Sequence, residues 1–346
     1  MPVDAGLFIG GALAVSVSPT DGSHLLYATD SRLLRSRNGG RDWQPEASDK
    51  LIGPTVAVAF DQAGKGAVGS GAAGVFYTDD GIRWQEASTP GGAVVARAIA
   101  AGTASGRFYL AGSRGLLVSA DNGRTWTRAA EGLPEGTATA LLVVPGTTEA
   151  VFVVLAGELW VSRDAGAHWQ PGGAGLPPGH VETVVRDPAN AARLWSAAAD
   201  QVYVSDDAGS SWHAVGARLP EPGTSVRGIA ATRDGEAITL TTHRGLLRSA
   251  DGGMTWGQVE GTLPVHLEAG PLVVDPHDAA TLYAGFALTP YPEIWRRAEE
   301  GSNLLSQADP FSLAGAAASL LLLIIGGWLG AKKLSRLYQQ GGESRS

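Results

Sequence analysis

Five arginines recur in similar short contexts and are the residues best suited to binding chemistry in this sequence. Arg32, Arg114 and Arg244 occupy the stretches "SRLL", "SRGLL" and "HRGLL", while Arg97 and Arg227 occupy "ARAIA" and "VRGIA". A planar guanidinium can donate paired hydrogen bonds to a carboxylate or a phosphate. We therefore predict a basic surface that binds a partner. The alternative is that these arginines are solvated turn residues duplicated with a repeat.

The acidic residues show no arrangement typical of a catalytic site. A glycosidase needs two carboxylates about 5 to 9.5 Å apart, whereas the adjacent acidic pairs at 79–80 and 206–207 lie in repeated turns. Glu182, Asp187 and Asp275 flank predicted strands, and nothing in the sequence pairs them. We expect no catalytic residue and no enzyme activity; a glycoside hydrolase is the alternative.

No cofactor or metal site is expected either. The chain has no Cys, and its seven His are scattered without the spacing of metal ligands. The stretch "GKGAVG" at 64–69 matches a phosphate-binding glycine pattern, but no predicted helix follows it to present an N-terminus to a phosphate. A formal net charge of -8 argues against a nucleic-acid partner.

The elements that must position the arginines belong to a repeat. A turn of eight residues, here called the box, recurs about every 41 to 44 residues, as in "SADNGRTW" ending at Trp126 and "SADGGMTW" ending at Trp256. Its Asp can accept backbone N–H groups of the turn, and its Trp can fill the space between neighbouring sheets. The predicted structural residues are Asn38, Trp43, Asp79, Trp84, Asp121, Trp126, Asp164, Trp169, Asp207, Trp212, Asp251 and Trp256. A degenerate seventh copy, "RAEEGSNL", spans 297–304.

Three β-type runs precede each box and a fourth follows its Trp. Four short strands per unit of this period are typical of one propeller blade. The sequence therefore predicts an all-β protein, a seven-bladed β-propeller of four-stranded blades over residues 1–306. With strands A to D counted outward from the axis, the arginines lie in B–C turns or at the start of strand A. Both positions belong to the face opposite the boxes.

The boxes resemble the Asp-box (BNR) repeats of sialidase-type β-propellers. Blade number and length resemble the photosystem II stability/assembly factor-like proteins, over roughly residues 1–306. This resemblance implies a propeller that acts in the assembly or stabilisation of a membrane complex. It implies no sialidase activity, because the Phe/Tyr-Arg-Ile-Pro stretch of sialidases is missing from this sequence.

A membrane helix is predicted after the propeller. Residues 311–331 are 21 residues without a charge, or about 31 Å of helix, enough to span a bilayer. A linker and this helix occupy 307–331, and a basic, disordered tail occupies 332–346. Lys332, Lys333 and Arg336 follow the span, which favours a cytoplasmic tail and a periplasmic or extracellular propeller. No signal peptide is visible, so an upstream start and a tail anchor with a cytoplasmic propeller both stay open.

The sequence thus predicts a single-pass, membrane-anchored, non-catalytic propeller that binds a protein in or near the membrane. Its expected role is the assembly or stabilisation of a membrane or envelope complex. A glycan-binding module is a further alternative, and exposed aromatic side chains outside the boxes would favour it.

Overall fold

The computed structural model describes residues 12–30, 32–46, 51, 54–129, 132–187, 190, 192–232, 237–259, 267–278 and 281–288. All statements of structure below concern these residues. They form 26 β-strands, and the strands belong to one compact unit that ends at Leu288. The predicted domain boundaries at 306 and 331 lie outside the described residues.

Six antiparallel sheets of four strands, here called blades 1 to 6, follow one another along the chain. In each blade the strands pair in chain order, so that every connection within a blade is a hairpin. Blade 1 contains β1 (Ala12–Val17), β2 (Leu25–Thr29), β3 (Leu33–Ser36) and β4 (Gln44–Pro45). Blade 2 contains β5 (Thr55–Phe60), β6 (Ala67–Gly71), β7 (Gly74–Thr78) and β8 (Gln85–Glu86). Blade 3 contains β9 (Ala96–Ala101), β10 (Phe108–Gly112), β11 (Gly115–Ser119) and β12 (Thr127–Arg128).

The next three blades repeat this plan. Blade 4 contains β13 (Ala138–Val144), β14 (Ala150–Leu155), β15 (Glu158–Ser162) and β16 (Gln170–Pro171). Blade 5 contains β17 (Val181–Arg186), β18 (Leu194–Ala198), β19 (Gln201–Ser205) and β20 (His213–Val215). Blade 6 contains β21 (Val226–Ala231), β22 (Ile238–Thr242), β23 (Gly245–Ser249) and β24 (Gly257–Gln258). The outermost strand is only two or three residues long in every blade, which limits the exposed sheet edge.

The seventh repeat differs from the prediction of seven four-stranded blades. Its described part is a two-stranded sheet, β25 (Leu267–Val274) paired with β26 (Leu282–Leu288). The first strand packs beside β21 on one side and beside β1 on the other. The structure therefore shows six complete blades, because the predicted strands C and D of this repeat, with the degenerate box at 297–304, lie outside the described residues.

Apolar side chains fill the spaces between neighbouring blades. Alternate residues of a strand point to opposite faces of its sheet, so each blade presents one apolar face to each neighbour. Five buried clusters result, and each contains or packs against the box Trp of the later blade. Trp126, for example, is 4% exposed and packs with Val68 and Tyr77 of blade 2. The box tryptophans thus join one blade to the next.

No helix in the part of the chain that the structure describes is long and apolar enough to cross a membrane. The predicted span at 311–331 lies outside that part, and so does the tail at 332–346.

Candidate partner-binding face

The strand register places all five predicted arginines at the same end of their blades. In blade 3, Ala96 pairs with Gly112, so Arg97 at the start of β9 lies beside the β10–β11 turn that carries Arg114. In blade 6, Val226 pairs with Thr242, which brings Arg227 beside the turn of Arg244. Arg32 follows Thr29, the partner of Ala12 at the start of blade 1. This end, opposite the box turns, is here called the arginine face.

A β-bulge recurs near the start of the inner strand in every blade. The register shifts between Ala96 and Ala98 in blade 3 and between Val226 and Gly228 in blade 6. A bulge adds one residue to a strand and redirects its side chain. The bulge residues of blades 1 to 6 are Leu13, Val56, Arg97, Thr139, Glu182 and Arg227. They are here called the rim residues.

Residues of the inner strands line an open central cavity of about 410 Å³. Its walls include residues from all seven described inner strands, β1, β5, β9, β13, β17, β21 and β25. Most of these residues are aliphatic, among them Ile99, Leu141 and Val184. Arg97 and Arg227 line the same cavity. Two of the five predicted arginines therefore line this cavity, here called the channel.

Glu182 is the third charged rim residue and was not predicted as a site residue. One of its carboxylate oxygens accepts the backbone N–H of Val226 in blade 6, so the side chain links two neighbouring inner strands. Burial raises the pKa of Glu182 to about 7, and the charge of Asp200 contributes in the same direction. The Glu182 carboxylate therefore contacts the backbone of the residue that precedes Arg227.

Two of the three arginines in B–C turns have local side-chain contacts. Arg114 is half-buried and donates to the carbonyl of Pro90 at 3.1 Å. A Cβ at Gly91 would lie 2.2 Å from its Nη1 atom, which shows how closely the guanidinium fits against this loop. Arg244 is exposed but forms an ion pair with Glu221. Arg32 is exposed, and its backbone closes the turn with Thr29. Local contacts therefore engage the side chains of Arg114 and Arg244, two of the five predicted arginines.

A second cavity lies on the same face, beside blade 3. It has a volume of about 480 Å³ and is lined by Arg114, Arg128 and Glu135 together with backbone of the 133–136 connection. The two arginines and the carboxylate give this groove mixed charge, unlike the channel.

Box-face arginines serve a different purpose, because they join neighbouring blades. Arg35 of blade 1 donates to the carbonyl of Gly81 in blade 2 at 2.6 Å. Arg124 of blade 3 donates to Asp79 of blade 2 at 2.8 Å, and Arg163 of blade 4 donates to the carbonyl of Ala208 in blade 5 at 3.0 Å. By contrast, Arg97 makes no hydrogen bond or ion pair with any residue that the structure describes.

The box turn is held by its acidic residue, as Asp121 illustrates. Its Oδ1 accepts the backbone N–H of Thr125 at 2.9 Å, and the Ser119 hydroxyl donates to the same atom at 2.8 Å. Asp164, Asp207 and Asp251 form equivalent bonds, and Asn38 accepts the N–H of Asp42 in blade 1.

Blade 2 corrects one predicted box residue. Asp80, not Asp79, accepts the N–H groups of Ile82 and Arg83, both at 2.9 Å. These bonds hold the pKa of Asp80 well below its ordinary value. The Thr78 hydroxyl also donates to Asp80, as the Ser119 hydroxyl donates to Asp121 in blade 3. Thr78 and Asp80 of blade 2 therefore correspond to Ser119 and Asp121. Alignment on Trp84 missed this, since the turn is one residue shorter than in the other blades.

Two further observations agree with the shorter turn. In blade 3, Asn122 and Gly123 both adopt positive φ, at 62° and 81°, whereas the described box of blade 2 has only Gly81, at 70°. The indole N–H of Trp126 donates to the carbonyl of Gly123 at 2.9 Å. In blade 2 the indole nitrogen of Trp84 is buried and has no hydrogen-bond partner among the described residues.

The remaining carboxylates of interest lie away from the channel mouth. Asp187 and Asp275 follow inner strands at the box end, where they accept hydrogen bonds from Trp195 and Tyr283. Among the described residues, no three His, Asp or Glu side chains are grouped so that they could hold a metal ion. Among the described residues that line the channel, Arg97 and Arg227 can bind an anion, and there is no pair of facing carboxylates.

The family of the chain follows from its sequence. The family model described as "DUF6242 beta propeller domain" matches residues 79–268, more than half of the chain. The chain belongs to the DUF6242 beta propeller family. No curated protein matches it in sequence.

Solved structures resemble this DUF6242 propeller in fold. YCF48 bound to D1 peptide shares 18% sequence identity and a TM-score of 0.58, over 82% of this chain and 93% of the other. YCF48 from Cyanidioschyzon merolae shares 12% identity and a TM-score of 0.60, over 83% and 94%. The extracellular domain of BT4673 from B. thetaiotaomicron shares 11% identity and a TM-score of 0.62, over 82% and 38%. At these identities the likeness establishes the propeller fold.

Proposed function

We propose that this DUF6242 propeller is a non-catalytic platform that binds a segment of a partner protein at the arginine face. The observation that carries the proposal is that Arg97 and Arg227, three blades apart, line the same central cavity. Both side chains are exposed. Rigid inner strands support both arginines, and guanidinium groups suit the recognition of carboxylates.

The fold comparison supports a peptide as the ligand. YCF48, which has a similar fold over most of both chains, is recorded in complex with a D1 peptide. A propeller of this shape can therefore present a peptide-binding surface. We extend this to the present chain because its arginine face carries the chemistry that an acidic segment needs.

We further propose that residues 311–331 anchor the propeller in a membrane and that residues 1–5, residues 303–308 or both complete a seventh four-stranded blade. The uncharged 21-residue span and the basic residues after it support the anchor. The packing of β25 beside both β21 and β1 supports a ring with seven units. On this view the propeller lies outside the cytoplasm and stabilises or assembles a membrane or envelope complex.

The two alternatives have less support from the described residues. A glycosidase would need a pair of facing carboxylates, and Glu182 is the one carboxylate among the rim residues of blades 1 to 6. A glycan-binding module would need exposed aromatic rings. The large hydrophobic side chains that are exposed in the described part of the chain are Leu13, Ile82, Val95, Met254, Val259 and Leu282, none of which is aromatic.

The test is affinity capture of partners from detergent-solubilised membranes with the full chain as bait. The Arg97→Ala/Arg227→Ala variant should lose the proteins that the unchanged chain retains. The matched control is Arg41→Ala/Arg83→Ala, which removes the same charge from two exposed box-face side chains. An unchanged set of partners in the first variant would contradict the platform at this face. Protease accessibility in spheroplasts would test the side of the membrane on which the propeller lies.

A further inference from the structure

We propose that His24, Arg35 and the box of blade 2 form an acid-sensitive joint between blades 1 and 2. Neutral His24 accepts a hydrogen bond from Arg35 and so keeps this side chain against blade 2, whereas protonation of His24 releases it. The joint lies at the box end of the propeller, since His24 belongs to the β1–β2 turn. The inference goes beyond the proposed function, because it does not involve the arginine face.

Arg35 is the centre of the joint. It lies on β3 of blade 1, and its side chain is only 8% exposed. Its Nη2 atom donates to the carbonyl of Gly81 in the box of blade 2, and its Nε atom donates to Glu46, both at 2.6 Å. A Cβ at Gly81 would lie 3.1 Å from the Nη1 atom, so the guanidinium fits closely against this turn. Arg35 therefore connects the box of blade 2 to the outer strands of blade 1.

His24 completes the joint from the other side of the guanidinium. Its side chain is buried, and its Nε2 atom is hydrogen-bonded to the Nη1 atom of Arg35. A guanidinium can only donate, so Nε2 must accept and the proton of the neutral imidazole must lie on Nδ1. The imidazole also packs edge-on against Phe60 at the end of β5, with 4.8 Å between the ring centroids. His24 thus contacts both Arg35 and blade 2.

Protonation of His24 is incompatible with this arrangement. An imidazolium carries N–H on both nitrogens, so two donors and two positive charges would face each other in a buried site. Burial, and then the charges of Arg35 and Arg37, lower the pKa of His24 from 6.5 to about 4, while Asp21 acts in the opposite direction. When the joint is open, His24 is solvated and binds a proton more tightly. A fall in pH from 6.5 towards 4 therefore favours the open joint.

The other charged groups at the joint define the controls. Burial raises the pKa of Glu46, so its ion pair with Arg35 is a second contact that acid can weaken. The box of blade 2 itself does not titrate in this range, because hydrogen bonds hold the pKa of Asp80 well below its ordinary value. At the next junction, the link between Arg124 and Asp79 contains no imidazole. The box of blade 3 is therefore an internal reference.

The test is hydrogen–deuterium exchange of the full chain in detergent micelles at pH 7 and pH 5, with rates corrected for the intrinsic effect of pH. The amides of residues 78–88 should exchange about tenfold faster at pH 5, because opening is coupled to proton uptake. Residues 119–126 should not change. In His24→Gln, the new side chain keeps an acceptor for Arg35 but does not titrate, so the acceleration should disappear. The matched control is His168→Gln, an exposed box residue of blade 4 that should leave the acceleration intact.

The outcomes separate His24 from its neighbours. An equal acceleration in His24→Gln and in the unchanged chain would overturn the proposal, and its loss in Glu46→Gln alone would assign the effect to Glu46. An equal acceleration at residues 119–126 would indicate general loosening and would also overturn it.

An independent measurement uses the unchanged chain. Histidine ring resonances in an NMR titration should include one, absent from His24→Gln, that still belongs to a neutral imidazole at pH 5. Titration of every histidine near pH 6.5 would contradict the joint. Circular dichroism would show that the variants are folded. None of these results depends on partner capture, so failure of the joint and failure of the proposed function are distinguishable.

Discussion

The hydroxyl of Tyr109 in blade 3 donates a hydrogen bond of 2.6 Å to Glu149 in blade 4. Both side chains are buried, and Glu149 also accepts the hydroxyl of Thr103 at 2.8 Å. Burial, followed by the bond to Glu149, raises the pKa of Tyr109. This polar link joins blades 3 and 4 at the box end of the propeller, because Glu149 lies in the β13–β14 turn.

Loss of this link should destabilise the propeller. In Tyr109→Phe the buried Glu149 loses one donor, and a buried polar group without its partner costs about 1 to 3 kcal/mol. Chemical denaturation followed by tryptophan fluorescence would measure the loss. The matched control is Tyr203→Phe, whose hydroxyl makes no hydrogen bond with a residue that the structure describes. An equal effect of the two substitutions would contradict the role of the link.

The corrected box of blade 2 gives a second prediction. Asp80→Ala removes the acceptor of two backbone N–H groups, whereas Asp79→Ala removes an exposed ion pair with Arg124. Exposed ion pairs contribute little to stability. We therefore expect Asp80→Ala to lower the midpoint of thermal unfolding by a few degrees, and Asp79→Ala to lower it clearly less. Differential scanning calorimetry would measure both midpoints. A larger decrease for Asp79→Ala than for Asp80→Ala would identify Asp79 as the box residue.

The third prediction concerns the Trp side chains that join the blades. Trp126 is 4% exposed within the cluster between blades 2 and 3. Trp126→Ala should cost about 3 to 5 kcal/mol, because it leaves a large cavity between packed sheets. Trp43 is only half-buried, so Trp43→Ala should cost less. Urea unfolding of both variants provides the measurement, and equal losses would count against the clusters as the main source of blade cohesion.

The titration of Glu182 gives the fourth prediction. The pKa of its carboxyl group is raised from an ordinary value of 4.5 to about 7 in the folded protein. Between these pH values the unfolded chain releases the proton before the folded one does, so Glu182 lowers stability as the pH rises. At pH 8 the full penalty is present, and below pH 4.5 it is absent.

Glu182→Gln should remove this pH dependence while it keeps an acceptor for the N–H of Val226. Relative to the unchanged chain, we expect the variant to gain roughly 1 to 2 kcal/mol between pH 4.5 and pH 8, with allowance for the partial exposure of the group. Denaturation across this pH range would measure the gain. Glu86→Gln, an exposed change on β8, is the control. A constant difference between Glu182→Gln and the unchanged chain at all pH values would contradict the prediction.

Some features of the propeller could be predicted because they are local. A hairpin turn depends on the few residues within it, so the box could be recognised from Ser119, Asp121 and Gly123 alone. The strand order within each blade followed from the short connections. The same local logic failed in blade 2, because alignment on Trp84 hid a turn that is one residue shorter and assigned Asp79 in place of Asp80.

The sequence by itself determined the blade repeat, the box and the end of each blade at which the arginines lie, because each depends on the order of short strands along the chain. Only the tertiary structure decided which arginines meet. The bulge at the start of each inner strand and the closing of the blades around an axis bring Arg97 and Arg227 to one cavity, although 130 residues separate them along the chain. Arg114 and Arg244 bind neighbours that the repeat pattern could not reveal, since those partners lie in connections that differ from blade to blade.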